Sequence, residues 1–183
     1  MQDAETDRIE RLRESDLSDL LKQVYHIPLL LGLLAFMLAV RLRELENFQT
    51  DDGVTFRGND PWYHYRQTNY LLEHFPSTMP FDPWTGYPFG TSVGQFGTLY
   101  DQLIATAALI IGLGSPSPDL VAKTLLVAPA VFGAFVAVPT YLLGKRLSGR
   151  VGGLFAAIIL MLLPGTFLRR GLVGFADHNI AEP

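Results

Sequence analysis

The sequence predicts an all-α integral membrane protein, built as a polytopic helical bundle. Three observations carry that expectation. Long apolar runs recur at residues 27–40 (extendable to 24–45), 120–143 and 151–168, and about 20 apolar residues of helix cross the ~30 Å hydrocarbon core of a bilayer. The mean hydropathy is positive, +0.23, and charge is concentrated at the ends and in one internal block. Basic residues gather in the N-terminal tail (Arg8, Arg11, Arg13, Lys22) and in the short KRLSGR segment, 145–150, as they do in cytoplasmic segments. A formal net charge of −4 leaves no basic footprint, so no nucleic acid partner is expected. The chain has no cysteine, which excludes a disulfide framework and thiolate chemistry.

Taken in order, residues 1–23 read as a cytoplasmic polar tail. From Thr6 it has an imperfect helical stripe of Ile9, Leu12, Leu17, Leu20 and Leu21, suited to a solvated helix at the membrane surface. Residues 24–45 form the first expected transmembrane helix. A long leader precedes it and RLRELE follows it with no small-x-small cleavage site, so a signal anchor is expected rather than a cleaved signal peptide. Residues 46–118 are polar, aromatic and broken by DP, FP, MP and YP dipeptides, the marks of a long external loop. Within it, helices are expected at about 62–75 and 99–113. Asp60 is placed to cap the first of these, and Pro61 falls in its first turn. Residues 119–144 are the second span, 145–150 a cytoplasmic turn and 151–168 the third span. Residues 169–183 form an external acidic loop. The chain stops at AEP with no closing element and reads as the N-terminal part of a longer protein.

Parity sets the sidedness. With the tail and KRLSGR both inside, the first span delivers the loop after residue 46 to the outside. Only one further crossing then fits before Lys145. The run 99–113 is the shorter of the two candidates and carries Asp101 near its start, so it is expected along the outer leaflet, parallel to the membrane. Arg41, Arg43, Arg169 and Arg170 then fall on the outer face, against the charge trend.

Two external loops carry carboxylates, Asp60 in NDPWYHYR and Asp177 in GFADHN. Oxygen ligands from aspartate with a histidine nearby suit Mg²⁺ or Mn²⁺, and such an ion can neutralise a phosphate leaving group. Plainer readings stand beside this one. Asp60 can be a helix cap and Asp177 a loop carboxylate. His64 and His74 can be interfacial packing or solvated histidines. Trp62, Tyr63, Tyr65, Trp84 and Tyr87 can be an aromatic belt, and Arg169 and Arg170 snorkelling anchors.

The order of these features resembles the catalytic subunit of oligosaccharyltransferase, most closely its archaeal type. The features are the anchor, NDPWYHYR, a short apolar stretch, YLLGKRLSGR and then RRGLVGFADHN. The resemblance runs from about residue 24 to the end. It implies the polytopic fold of the C-type glycosyltransferases, here its N-terminal part, with membrane-parallel helices in the first external loop. It also implies metal-dependent transfer of an oligosaccharide from a dolichyl (pyro)phosphate carrier to asparagine in N-x-[ST] sequons of an acceptor polypeptide. The site faces outward from a multi-pass protein of the cell membrane. By the same resemblance Asp60 binds Mn²⁺ or Mg²⁺ and holds the acceptor amide, Asp177 is a metal ligand, and Arg170 contacts the carrier phosphate. The family carries Asp, Glu or His two positions after Asp177; here that position is Asn179, so His178 or Asn179, directly or through water, completes the set. Later acidic and sequon-reading residues are absent, so the 183 residues alone are expected to be inactive. Rival expectations are a protein O-mannosyltransferase or other lipid-phosphosugar transferase, and, from another class, a transporter subunit using Asp101 and Lys123.

Overall fold

The computed structural model describes residues 19, 21–95 and 97–180; most of the tail helix expected from Thr6, its residues 6–18 and 20, lies outside them. The described chain is mainly helical. In order, α1 spans His26–Leu42, α2 Asp60–Glu73, α3 Leu99–Ile111, α4 Pro118–Phe135, α5 Ala137–Leu162 and α6 Thr166–Arg170. Two small antiparallel ribbons lie in the loops around α2. One pairs β1 (Gln49–Thr50) with β2 (Gly53–Val54), and the other pairs β3 (Phe81–Asp82) with β4 (Thr91–Ser92).

Among the described residues, two stretches are long and apolar enough to cross a membrane, Leu21–Leu42 and Pro118–Leu162. The second has 45 residues. At 1.5 Å per residue a straight helix of that length is about twice the thickness of a hydrocarbon core. It is broken twice. Pro139 supplies no N–H for the carbonyl of Phe135, so the ladder lapses at the α4–α5 junction. A sharper break falls within KRLSGR, where Ser148 (φ −142°) and Gly149 (φ +72°) leave helical geometry inside α5. Gly149 suits this left-handed turn because it has no Cβ.

The two halves of α5, 137–147 and 150–162, fold back on each other. A Cβ added at Gly144 would lie 2.9 Å from the Ala156 Cβ, and one at Gly153 would lie 2.6 Å from the Tyr141 carbonyl. Small residues are what let helices approach this closely in lipid, where packing rather than the hydrophobic effect joins them. Met37, Ala134, Ala137, Tyr141 and Ala157 form the core between this hairpin, α4 and α1.

At the far end, α2 and α3 pack against α4. Ser117 caps α4, its Oγ accepting from the Leu120 N–H at 3.2 Å, with Pro118 in the first turn. Gly112 closes the tight connection before it; a Cβ there would lie 2.7 Å from the Pro116 Cα. The third span, expected over 151–168, ends sooner. Leu163 precedes Pro164 and takes extended geometry (ψ 109°), and the chain restarts as α6 after Gly165 (φ +113°). A residue before proline is pushed out of the helical region.

The Arg150 guanidinium donates to the Lys22 carbonyl at 3.2 Å. The basic turn and the start of the first helix therefore share one end of the bundle. The four arginines that ran against the charge trend are at the other end, each with a specific setting except Arg170. Arg43 meets Glu44 at 3.5 Å, Arg169 lies 6.0 Å over the Phe175 ring, and Arg41 is buried.

Candidate functional site

Asp177 owes its position to a loop tied down from three sides. The Val173 N–H donates to the Arg41 carbonyl (3.1 Å) and the Gly174 N–H to the Leu126 carbonyl (3.2 Å), while the Gly174 carbonyl accepts from the Arg57 N–H (3.0 Å). Gly174 sits at φ +87°, and a Cβ there would run into the Phe48 ring at 2.6 Å. The Arg41 side chain, 1% exposed, adds a fourth tie. It donates to the Leu168 carbonyl at 3.2 Å and stacks 5.0 Å from the Phe167 ring. Beyond this anchor the chain turns into a 3₁₀ element, His178–Ile180. Asp177 caps that turn, and Asn179 supplies the donors. Its backbone N–H and side-chain amide donate to the two Asp177 carboxylate oxygens at 3.2 and 2.6 Å. Asn179 thus orients Asp177, while Ala176 and Ile180 bury themselves against Tyr100, Ile104 and Leu125.

The opposite wall is the start of α2. Pro61 stands in the first turn. Asp60 is exposed and is the first helical residue rather than the N-cap, which is Asn59. Its charge suits the positive end of the helix dipole. Asp60 and Asp177, far apart in sequence, line one cavity of about 540 Å³ together with His64, Arg66, His178 and Asn179. Arg170 is half-buried at the end of α6 and is not among the residues lining this cavity.

His64 and Asp101 are the residues that sequence reasoning assigned elsewhere. His64 is 1% exposed and Asp101 2%. The His64 Nδ1 lies 2.7 Å from the Asp101 Oδ1, and the His64 Nε2 faces the His178 Nδ1 at 3.3 Å. The His178 Nδ1 is in turn 3.0 Å from the Asp177 Oδ1. One donor atom from each of His64, Asp177 and His178 lies within 4.8 Å of the others. This nitrogen and oxygen set fits a divalent ion of borderline softness. Asp60 lines the same cavity but stands outside that tight group. The only available sequence signal was the spacing of Asp60 and His64, one turn apart on α2.

The electrostatics follow from burial. Desolvation raises the Asp101 carboxyl above the usual carboxylate range, against the hydrogen bond from His64 and the positive charge His64 and His178 can carry. Tyr63, on the cavity wall, is pushed up to about 12 by burial first, then by the charges of Asp101 and Asp82. It therefore stays protonated at neutral pH. The transporter expectation loses its pair of intramembrane charges. Asp101 is bonded to His64, and Lys123 meets Asp119 across one helical turn at 2.7 Å, both partly exposed.

A second buried carboxylate shapes the rim. Asp82, fully buried, accepts from the Arg66 Nη2 and the Thr85 hydroxyl, both at 2.6 Å, and from the Trp84 N–H at 3.1 Å. Burial works to raise its carboxyl, but these hydrogen bonds outweigh it and hold it below its ordinary value. The stability it contributes is complete well above the unfolded-chain value near ~3.9 and is lost as pH falls through the lower folded value. Asp82→Asn should loosen the Trp84 loop at neutral pH. Trp84 fluorescence in the wild type should shift only below about pH 4, and in the variant it should already be shifted at pH 7. An unshifted variant spectrum would mean that Asp82 does not hold the loop.

Comparison with known proteins agrees with the geometry. Residues 29–182 match the family model described as oligosaccharyl transferase STT3, N-terminal. The dolichyl-monophosphooligosaccharide–protein glycotransferase AglB of Haloferax volcanii is 65% identical over 167 residues, covering 91% of this chain and 16% of that protein. The crystal structure of the Archaeoglobus fulgidus oligosaccharyltransferase tethered to an acceptor peptide containing an NVT sequon superposes with a TM-score of 0.77 at 31% identity, covering 88% of this chain and 19% of that one. The same enzyme in complex with Zn and sulfate superposes with a TM-score of 0.74 at 32% identity over 84% of this chain and 19% of that one. The chain thus spans less than a fifth of the length of these relatives.

Proposed function

The chain belongs to the oligosaccharyl transferase STT3 family, and on that premise we propose that it is the N-terminal part of an enzyme transferring an oligosaccharide from a dolichyl-phosphate or pyrophosphate carrier to the asparagine of N-x-[ST] sequons. One observation carries the reading. Carboxylates from two distant loops, Asp60 and Asp177, line one cavity beside a pair of histidines. The glycotransferase name of the Haloferax relative and the sequon peptide on the Archaeoglobus enzyme support the substrate classes.

The proposed roles follow from residue chemistry. An amide nitrogen is a poor nucleophile because its lone pair is delocalised into the carbonyl. Asp60, exposed and facing the cavity, accepts hydrogen bonds from the acceptor amide and favours its twisting out of conjugation. Asp177, with both oxygens fixed by Asn179, is a metal ligand. A divalent ion supplies positive charge to the departing phosphate. Arg170 adds a guanidinium for the carrier phosphate. The nitrogen content of the donor set favours Mn²⁺, or Zn²⁺ as in the Archaeoglobus complex, over Mg²⁺.

The protein is placed in the cell membrane with several spans. The Arg150–Lys22 contact joins the two basic segments at one end of the bundle, which supports a cytoplasmic face there and an external face for the cavity. Exposed Leu142, Leu143, Val151, Phe155, Ile159 and Leu162 give the α5 hairpin a surface suited to lipid. The test uses the full-length protein, lipid-linked glycan, a fluorescent N-x-[ST] peptide and Mn²⁺. A gel shift of the peptide that disappears with chelator is expected. No shift from folded protein under any metal would reject the transferase reading.

A further inference from the structure

We infer that His64 is a nitrogen ligand of the divalent ion and that Asp101 is the residue that fixes its tautomer, an inference resting on the metal-dependent reading above. The tautomer follows from a donor whose identity is not in question. The backbone N–H of His178 can only donate, and it faces the His64 Nε2 at 3.4 Å. The Nε2 therefore carries the lone pair and the ring proton sits on Nδ1. That proton is accepted by the Asp101 Oδ1 at 2.7 Å. That lone pair accepts from the His178 N–H only at long range, a contact that an ion held with Asp177 and His178 would replace.

The spacing matches a coordination shell. Nitrogen and oxygen ligands bind such ions at ~2.0–2.2 Å, so neighbouring ligand atoms around one ion stand roughly 3.0–3.5 Å apart. The His64 Nε2 to His178 Nδ1 distance is 3.3 Å and the His178 Nδ1 to Asp177 Oδ1 distance is 3.0 Å. The burial of Asp101 points the same way. A carboxylate 2% exposed, whose Oδ2 has no partner among the described residues, is costly as a purely structural group. A carboxylate bonded to the far nitrogen of an imidazole is the usual support of a metal-bound histidine, fixing its ring and raising its basicity. His64 stands one turn after Asp60 on α2 and Asp101 near the start of α3. The α2–α3 contact thus aims the ligand, and Asp101 acts through His64 without touching substrate.

The test reads the metal rather than transfer. Mn²⁺ is added below one equivalent to the full-length protein, and electron spin-echo modulation from ¹⁴N reports imidazole bound to it. Imidazole modulation is expected in the wild type and in His178→Asn, and its loss in the His64→Asn/His178→Asn double variant. Asp101→Asn should bind Mn²⁺ about ten- to a hundredfold more weakly while keeping its thermal transition. Modulation lost on removing His178 alone would overturn the inference, whether or not a substitution at the buried position 64 folds. Mn²⁺ bound with no ¹⁴N modulation in the wild type would also overturn it, and would leave metal-dependent transfer standing on the carboxylates. Absence of both Mn²⁺ binding and transfer would overturn this inference together with the reading it rests on.

Discussion

Replacing Asp177 by alanine in the full-length enzyme is expected to lower glycan transfer by about a hundredfold or more, the scale seen when one preorganised electrostatic group is removed from an active site. Asp177 is buried, its oxygens accept from Asn179, and it stands 3.0 Å from the His178 ring. Truncation removes the proposed charged ligand and leaves the Asn179 amide without its acceptor. Asp177→Asn keeps much of the shape but not the charge, so it separates the two effects. Initial rates across a Mn²⁺ titration are the measurement. If saturating metal restores Asp177→Asn to the wild-type rate, the carboxylate serves affinity alone. A wild-type rate for Asp177→Ala at all metal concentrations would remove Asp177 from the site. Asp60→Ala should lose transfer just as severely.

A single methyl group at Gly171 should disrupt the same site from beneath. Gly171 has an ordinary φ of −88°, so alanine meets no backbone objection. Its Cβ would collide with the Arg41 Nη1. That guanidinium cannot easily move aside. Gly133 flanks it, where a Cβ would lie 2.9 Å away, and the Phe167 ring and the Leu168 carbonyl hold it on other sides. Overpacking of this kind costs ~1–3 kcal/mol. Gly171→Ala should therefore lower the thermal transition in detergent and reduce transfer, because the Asp177 loop starts there. Arg41→Ala alone should also destabilise, by losing its hydrogen bond and leaving a void. The two changes should couple: with Arg41 removed, Gly171→Ala should cost almost nothing further. Simple additivity of the two losses would show that the contact is not the cause.

Much of the helix pattern was legible. Ile27–Val40 and the runs after Leu120 are continuous apolar stretches, and Pro61 marks a helix start by its own stereochemistry. The break at Ser148–Gly149 fell where the basic KRLSGR turn suggested one. The end of the last long helix was misplaced because a hydropathy window averages over Pro164 and Gly165, whereas the backbone responds to each one singly. Asp60 and Asp177 stood out through motifs. His64 did not, because a lone histidine among aromatics reads equally as packing. Asp101 read as a charge near a helix end.

The sequence by itself determined which segments are helical, which are apolar enough for a membrane, that basic residues mark two short segments, and which family's motifs the chain carries. These are properties of neighbours in the chain, set by side-chain sterics and by transfer from water. Only the tertiary structure decided that Asp101 meets His64 and that Arg41 is enclosed between Gly133 and Gly171. Pairings of distant residues depend on how α1, α2, α3 and α4 stack, and no local pattern records a stacking geometry. A buried polar group needs a partner, but the chain does not say which one until the helices have met.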